Sequence, residues 1–409
     1  MSAMFAPLQE LANELLSSIK VGWRADRGRI NLTASDELVN RCVINDVQCV
    51  ESEGVRRVHR LGGREAEQSL ATQAQRLFGT NLISFQARSS YQANQAVFKS
   101  ILQPGDCVLC MPDPELELTL DTLYVSAVTP RLSRVSVPCF PNQLLDYGAL
   151  AEQIASVRPK CLVAGHATYS RHIDFKALRS LADSVGALLV VDISHTAGLI
   201  AAGLHPNPLD HAHIITGATH KSLQGPRGGF VAAQDIRILQ LITTQLTNLG
   251  ASKIPFRLQL ALNQCLTKAA SPDQKARHQL SLDNARAMAA YFKSVGIGVI
   301  TGGTDTQSIA IDLETLGLSA RHAAIALGRL GITVETRGDK RDDRTLVLNT
   351  YPVGARGMDS LACTRLAEAI AVTLIERTNL KSISLAIKVI DDLCADYPPL
   401  ATPLDYVQL

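Results

Sequence analysis

Between residues 66 and 265 short runs rich in β-branched and apolar residues alternate with helical or turn-rich stretches: CVLCM, VTPRLSRVSV, KCLVAG, ALLVVDI, HIITGA and GGFVAAQ. Such near-continuous apolar runs suit strands buried on both faces, and the alternation predicts an α/β sheet flanked by helices. Ligands of such sheets gather where the strands end, so residues just after these runs are the first candidates for chemistry. Asp192 and Thr219 to Lys221 fall there.

Residues 272–296 read as one long helix, with a Ser-Pro-Asp start and a stop at Gly296. Beyond it VGIGVIT, QSIAIDL, ITVETR and TLVLNT are strand-like, interleaved with helices at 319–330 and 358–377. That pattern predicts a smaller α+β domain. Residues 5–20 carry apolar positions at helical spacing, and the polar, charge-rich stretch up to about 65 reads as an irregular arm. Four units follow: an N-terminal helix and arm (1–65), a large α/β domain (66–270), a linker helix with the smaller domain (271–379), and a C-terminal helix and tail (380–409).

Composition narrows the class. Of 409 residues 46% are hydrophobic and 19% charged, which suits an ordered globular chain. The net charge is only +2, with basic residues scattered, so there is no nucleic-acid footprint. No apolar run is long enough to span a membrane and the N-terminus lacks a secretory pattern, so a cytoplasmic location is expected. Nine cysteines, an odd number sitting mostly in apolar segments, suit reduced thiols better than a disulfide framework. Cys107 and Cys110 form a lone C-x-x-C without the second pair a zinc site needs.

The block ALLVVDISHTAGLIAAG followed by HIITGATHKSLQGPRGGF is the most informative. Asp192 ends a buried strand, His195 opens a small-residue segment, and Lys221 precedes Gly225, Pro226, Arg227, Gly228 and Gly229. A strand-end carboxylate can hold a cationic ring nitrogen, and lysine is the side chain that forms an imine with an aldehyde cofactor. Taken singly, Lys221 is more readily a solvated loop residue and Asp192 a helix cap; it is their joint pattern that points to the cofactor. A metal site drawn from His205, His211, His213 and His220 stays a weaker alternative, because no carboxylate or cysteine completes a ligand set.

GALLVVDISHTAGLIAAGLHPNPLDHAHIITGATHKSLQGPRGG resembles the core of serine hydroxymethyltransferases, which are fold-type I enzymes dependent on pyridoxal 5'-phosphate. INLTASDE, SEGVRRVHRLGG, RLFGTNLISFQARSSYQAN, LQPGDCVL, RPKCLVAGHATYSRHIDFKALRSLADSVGA, VITGGTDTQSIAIDL and LGRLGITVE extend the likeness from about residue 28 to 378. The resemblance implies an aspartate-aminotransferase-like fold with a mostly parallel seven-stranded sheet and a smaller C-terminal α+β domain. It makes Lys221 the Schiff-base lysine and Asp192 the partner of the pyridine nitrogen, with His195 at the ring hydroxyl side and His220 beside the phosphate. Ser89 and Ser90, before a helix starting near Gln92, would serve the phosphate; Ser35 matches a substrate-side serine and Glu53 the catalytic glutamate.

Several positions depart from the family. Its carboxylate-binding arginine lies in a Gly-Ile-Arg-Ile-Gly-Thr-Pro segment; the matching stretch here, Leu346 to Pro352, puts Leu348 in its place. Glu115 stands near the ring-stacking histidine, Glu51, Arg60 and Leu61 replace tyrosines, and Ala167 beside His166 replaces a serine. Arg60, Arg88, Arg337 and Arg344 are candidate substitutes for the missing clamp, with Arg60 and Arg344 assigned to the substrate; the other option is a carrier-bound or otherwise modified amino acid. The expectation is making or breaking of a Cα–Cβ bond of an amino-acid substrate (aldolase, transaldolase or hydroxymethyltransferase type) without folate, in specialised biosynthesis. Elimination, replacement or transamination, and a silent regulatory paralogue, are the alternatives. A homodimer with shared active sites is also implied.

Overall fold

The computed structural model describes residues 30–33, 55–111, 119–120, 133–139, 142–165, 169–251, 253–336 and 343–398, with the side chains of 55–65 and of 257 outside that description. The predicted helix at 5–20, Ser35, Glu53, Glu115, Arg337, the side chain of Arg60 and the last residues of the tail therefore lie outside it.

Two sheets organise the described residues. The first strand, β1 (Ile30–Leu32), belongs to the smaller one, whereas β2 (Ile83–Ser84), β3 (Cys107–Cys110), β4 (Ser133–Ser136), β5 (Cys161–Ala164), β6 (Leu188–Asp192), β7 (Ile214–Ala218) and β8 (Gly229–Ala233) form the larger. Its order is β2-β8-β7-β6-β5-β3-β4; the joins from β7 through β6, β5 and β3 to β4 are parallel, and β8 runs antiparallel to both β7 and β2. The six runs read as strands all lie here. β2 escapes the sequence pattern because two residues carry no periodicity.

The larger sheet is covered by α1 (Val55–Phe78), α2 (Ser90–Ile101), α3 (Tyr147–Val157), α4 (Phe175–Val185), the short α5 (Ala197–Ala201), α6 (Ile236–Asn248) and α7 (Phe256–Ala269). Two apolar clusters, one including Leu109, Leu162, Leu189 and Ile215 and the other Val108, Cys161, Val190 and Ile214, take alternate residues of the same strands. Both faces are thus dry, which explains why these strands are apolar throughout rather than alternating. The arm read as irregular up to residue 65 is helical from Val55 on: α1 runs unbroken through that position. Gly62 and Gly63 break the apparent helical pattern, and a long helix tolerates them when neighbouring turns pack.

Helix α8 (Pro272–Ser294) starts as expected, with the Ser271 hydroxyl accepting the Gln274 N–H at 3.2 Å and Pro272 in the first turn. It leads to β9 (Gly298–Val299), β10 (Ser308–Asp312), α9 (Ala320–Arg329), β11 (Ile332–Thr336), β12 (Thr345–Asn349), α10 (Tyr351–Ala355), α11 (Ser360–Ile375) and α12 (Leu380–Asp396). The smaller sheet has the order β1-β11-β12-β10-β9. β1 joins it in parallel with β11, so a segment some 300 residues earlier in the chain completes this sheet. No helix among the described residues is long and apolar enough to cross a membrane.

Candidate active site

Asp192 is the last residue of β6 and half-buried. Its Oδ1 accepts the Ser194 N–H at 2.7 Å and its Oδ2 accepts the Asn94 side-chain amide at 2.7 Å. Asn94 is held in turn, because its Oδ1 accepts the Thr216 hydroxyl at 2.6 Å, and Thr216 lies opposite Asp192 on β7. Two charge-assisted bonds fix the orientation of a carboxylate that still has lone pairs to offer. Asn94 and Thr216 are not singled out by the sequence; the available signal is that Asn94 follows Ser90 by one helical turn and so shares its face.

Lys221 sits in the turn that joins β7 to β8. The turn is tied by Gly225 N–H to the Thr219 carbonyl (2.7 Å), Gln224 N–H to the Lys221 carbonyl (2.9 Å) and the Thr219 hydroxyl to the Pro226 carbonyl (2.6 Å). A Cβ at Gly225 would lie 2.9 Å from Cys265 Sγ and 3.0 Å from the Thr219 carbonyl oxygen, so the turn closes this tightly only with glycine. Lys221 Nζ lies 2.8 Å from His195 Nε2, within reach for direct proton exchange. The His195 carbonyl accepts the Gln307 amide at 2.6 Å, which fastens this segment to the smaller sheet. His220 keeps Nδ1 3.3 Å from the Gly228 carbonyl.

Ser89 is the N-cap of α2, its hydroxyl accepting the Gln92 N–H, and Ser90 is the first helical residue. The helix therefore begins two residues earlier than Gln92. The Gly229 N–H donates to the Ala87 carbonyl, and a Cβ at Gly229 would fall 2.4 Å from the Ser89 carbonyl oxygen. This helix start is thus pressed against the strand that follows the Lys221 turn. A helix N-terminus carrying two hydroxyls suits a phosphate.

Pyridoxal phosphate fits these residues. A lysine amine with a histidine beside it and a fixed carboxylate lie where β6 and β7 end, with the anion-favouring start of α2 nearby, and the buried Ser194 Oγ has no hydrogen-bond partner among the described residues.

Other sequence candidates are placed differently. Arg344 pairs with Glu314, both side chains more than half exposed, so its guanidinium is engaged by a carboxylate rather than held out for a substrate. Arg88 donates to the Gly250 carbonyl at 3.0 Å. Leu348 is fully buried among the apolar residues of the smaller sheet, with Leu346, Ile309 and Ile311. Successive strand residues face opposite ways, so position 348 points into this core and the other face of β12 carries Thr345, Val347 and Asn349. Leu348 therefore faces this core, and Val347 lies on the opposite face of β12. From Leu346 to Thr350 neither face offers a cation. His213 has Nδ1 accepting the Leu189 N–H at 2.9 Å and Nε2 3.6 Å from Asp183, so both nitrogens have structural partners. No group of three or more potential metal ligands occurs among the described residues.

A family profile described as serine hydroxymethyltransferase matches residues 8–370. A serine hydroxymethyltransferase of Caulobacter sp. (strain K31) is 32% identical over 384 residues, covering 89% of this chain and 88% of that protein. Serine hydroxymethyltransferase 1 of Pseudomonas syringae pv. tomato is 33% identical over 410 residues, covering 96% and 98%. The enzyme of Chromohalobacter salexigens is 36% identical over 307 residues, covering 72% of each chain. The chain belongs to the serine hydroxymethyltransferase family, whose members are pyridoxal-phosphate-dependent transferases of fold type I.

Proposed function

We propose that this chain makes or breaks the Cα–Cβ bond of an amino-acid substrate without folate, and that the substrate's carboxyl group is masked, as in an amino acid tethered to a carrier or otherwise modified. The observation that carries the proposal is a contrast: Lys221 lies 2.8 Å from His195 and the Asp192 carboxylate is held by Asn94, while the stretch Leu346 to Thr350, which matches the family's arginine-bearing segment, carries no cation. An unpaired carboxylate facing an apolar wall costs several kcal/mol of binding. Masking the carboxyl removes that cost.

Lys221 would hold the cofactor covalently, Asp192 would face its ring nitrogen, His195 its ring hydroxyl side, and Ser89, Ser90 and His220 its phosphate. When bound, the cofactor supplies an electron sink for the pair left at Cα. His195 can exchange a proton with Lys221 Nζ across the 2.8 Å gap. Asn94 fixes the orientation of the Asp192 carboxylate by donating to it, and Gln307 holds the His195 backbone. Glu53 is the proposed acid or base, and Ser35 and Arg60 are proposed substrate contacts from the segment preceding residue 66. We further take the assembly to be a homodimer in which that segment serves the neighbouring site, and the pathway to be specialised biosynthesis.

The test incubates purified protein, loaded with pyridoxal phosphate, with β-hydroxy amino acids as free acids and as thioesters, with and without tetrahydrofolate, and assays aldehyde release. Aldehyde from the thioesters without folate is the expected result. Turnover of free serine that requires folate would refute the proposal; keto-acid or ammonia as sole product would shift it to transamination or elimination. A visible cofactor band indifferent to every substrate would indicate a silent paralogue.

A further inference from the structure

Three buried glutamines, Gln224, Gln274 and Gln307, link the lysine turn to the smaller sheet, and the first two have no part in the chemistry above. From the Lys221 amine the contacts run to His195 Nε2 (2.8 Å), and from the His195 carbonyl to the Gln307 amide that donates to it (2.6 Å). The Gln307 carbonyl accepts both the Thr350 N–H (2.9 Å) and the Thr350 hydroxyl (3.1 Å). The next residue, Tyr351, accepts the Gln274 amide at its hydroxyl (2.6 Å). The same amide lies 3.3 Å from Gln224 Oε1, and the Gln224 N–H returns to the Lys221 carbonyl (2.9 Å). The circuit closes on the residue where it began.

Both partners of the lysine–histidine contact are therefore fastened to one point, the Thr350–Tyr351 start of α10. Lys221 lies in a turn with no ladder or helix to hold its backbone, and that turn contains Gln224 at φ +59. A non-glycine residue in this left-handed region costs about 1 kcal/mol and needs something to hold it there. The amide of Gln274 supplies a hold from α8. The cluster is also expensive: Gln274 Oε1, Gln307 Oε1 and Nδ1 of His278, whose ring lies 4.8 Å from that of Tyr351, are buried without a hydrogen-bond partner among the described residues. Each such group costs about 1–3 kcal/mol, and apolar side chains of similar volume would fill the space without that cost. Stability alone gives no reason to bury these amides here.

Resting on Lys221 as the cofactor-holding amine, we propose that Gln224, Gln274 and Tyr351 are positioning residues that hold the Lys221 turn in register with His195 from the side of the smaller sheet.

The test compares Gln274→Leu, Tyr351→Phe and Gln224→Gly with the parent protein. The last removes a link where glycine suits the backbone, so it remains informative if the other two fail to fold. Two pH profiles are measured: the visible band of protein loaded with pyridoxal phosphate, and reductive methylation of Lys221 in cofactor-free protein, read by peptide mass spectrometry. The expected result is a displacement of both profiles by about half a pH unit or more, roughly a threefold change in amine ionisation, in variants that melt within a few degrees of the parent. Variants that melt lower yet keep both profiles on the parent's would reduce the cluster to packing and overturn the proposal. A parent that takes up no pyridoxal phosphate would defeat the cofactor reading, while the methylation profile would still decide the positioning claim.

Discussion

His278 gives a prediction whose size follows from burial. The ring is 1% exposed on the inner face of α8, and burial alone pushes its pKa down to about 4 from the usual 6.5. The folded protein keeps this imidazole neutral over a range in which the unfolded chain protonates it. The unfolded state therefore takes up more protons below about pH 6.5, and stability falls as the pH drops from 6.5 towards 4 and levels off below. The window spans about 2.5 pH units, which at about 1.36 kcal/mol per unit caps the loss near 3 kcal/mol, with about 2 kcal/mol already lost at pH 5.

The perturbation is His278→Gln, which keeps a polar group within reach of Gln274 and cannot titrate. Urea unfolding followed by far-UV circular dichroism at about pH 7.5 and about pH 5 gives four midpoints. Other groups also respond to acid, so the informative quantity is the difference between the two proteins' losses. The parent should lose about 2 kcal/mol more than the variant over this interval. Equal losses would refute the inference that a neutral buried imidazole contributes to acid sensitivity, whatever the variant's stability at neutral pH.

Further predictions follow from contacts at the site. Lys221→Ala should abolish both cofactor retention and turnover, measured by the visible band after gel filtration; full turnover would overturn the proposed function. Asn94→Ala removes a bond to the Asp192 carboxylate worth about 1.5–3 kcal/mol, so cofactor affinity in equilibrium titration should fall roughly tenfold to a hundredfold. Gly229→Ala would drive a Cβ to 2.4 Å from the Ser89 carbonyl oxygen and displace the start of α2, weakening cofactor binding more than it lowers the melting temperature. Burial pushes the Cys265 and Cys363 thiols up to about 12 and raises Cys161 further, so brief iodoacetamide treatment of native protein should spare all three and label exposed Cys139, as peptide mass spectrometry would show.

What could be read in advance divides along a physical line. Strands β3 and β5 to β8 are legible because burial on both faces leaves an apolar run with little else it could encode, and the start of α8 because its capping is written in three adjacent residues. Lys221, Asp192 and His195 stand out as candidates because topology puts chemistry at strand ends, and the fold does place them at or just past the ends of β6 and β7. β1 is different. Three residues cannot announce a partner some 300 positions away, and their place in the smaller sheet follows from pairing with β11, not from a local preference.

The direction in which Leu348 points has a related cause and bears on substrate choice. Matching by residue type anchors on Pro352, but in a strand a shift of one position exchanges the two faces, and only the packed sheet says which face is core. With Leu346 and Leu348 committed to that core, the surface offered by β12 is Thr345, Val347 and Asn349, and Asn349 is already bonded to the Ser308 hydroxyl at 3.2 Å and to the Tyr351 N–H at 2.9 Å. Restoring a clamp would therefore require arginine at 347, not at 348. A Val347→Arg variant that gains activity on free β-hydroxy amino acids and loses it on thioesters would support both a substrate on this face of β12 and the masked-carboxyl reading. Arginine at 348 should simply unfold the smaller sheet, since it would bury an unpaired charge among Ile309, Ile311 and Leu346.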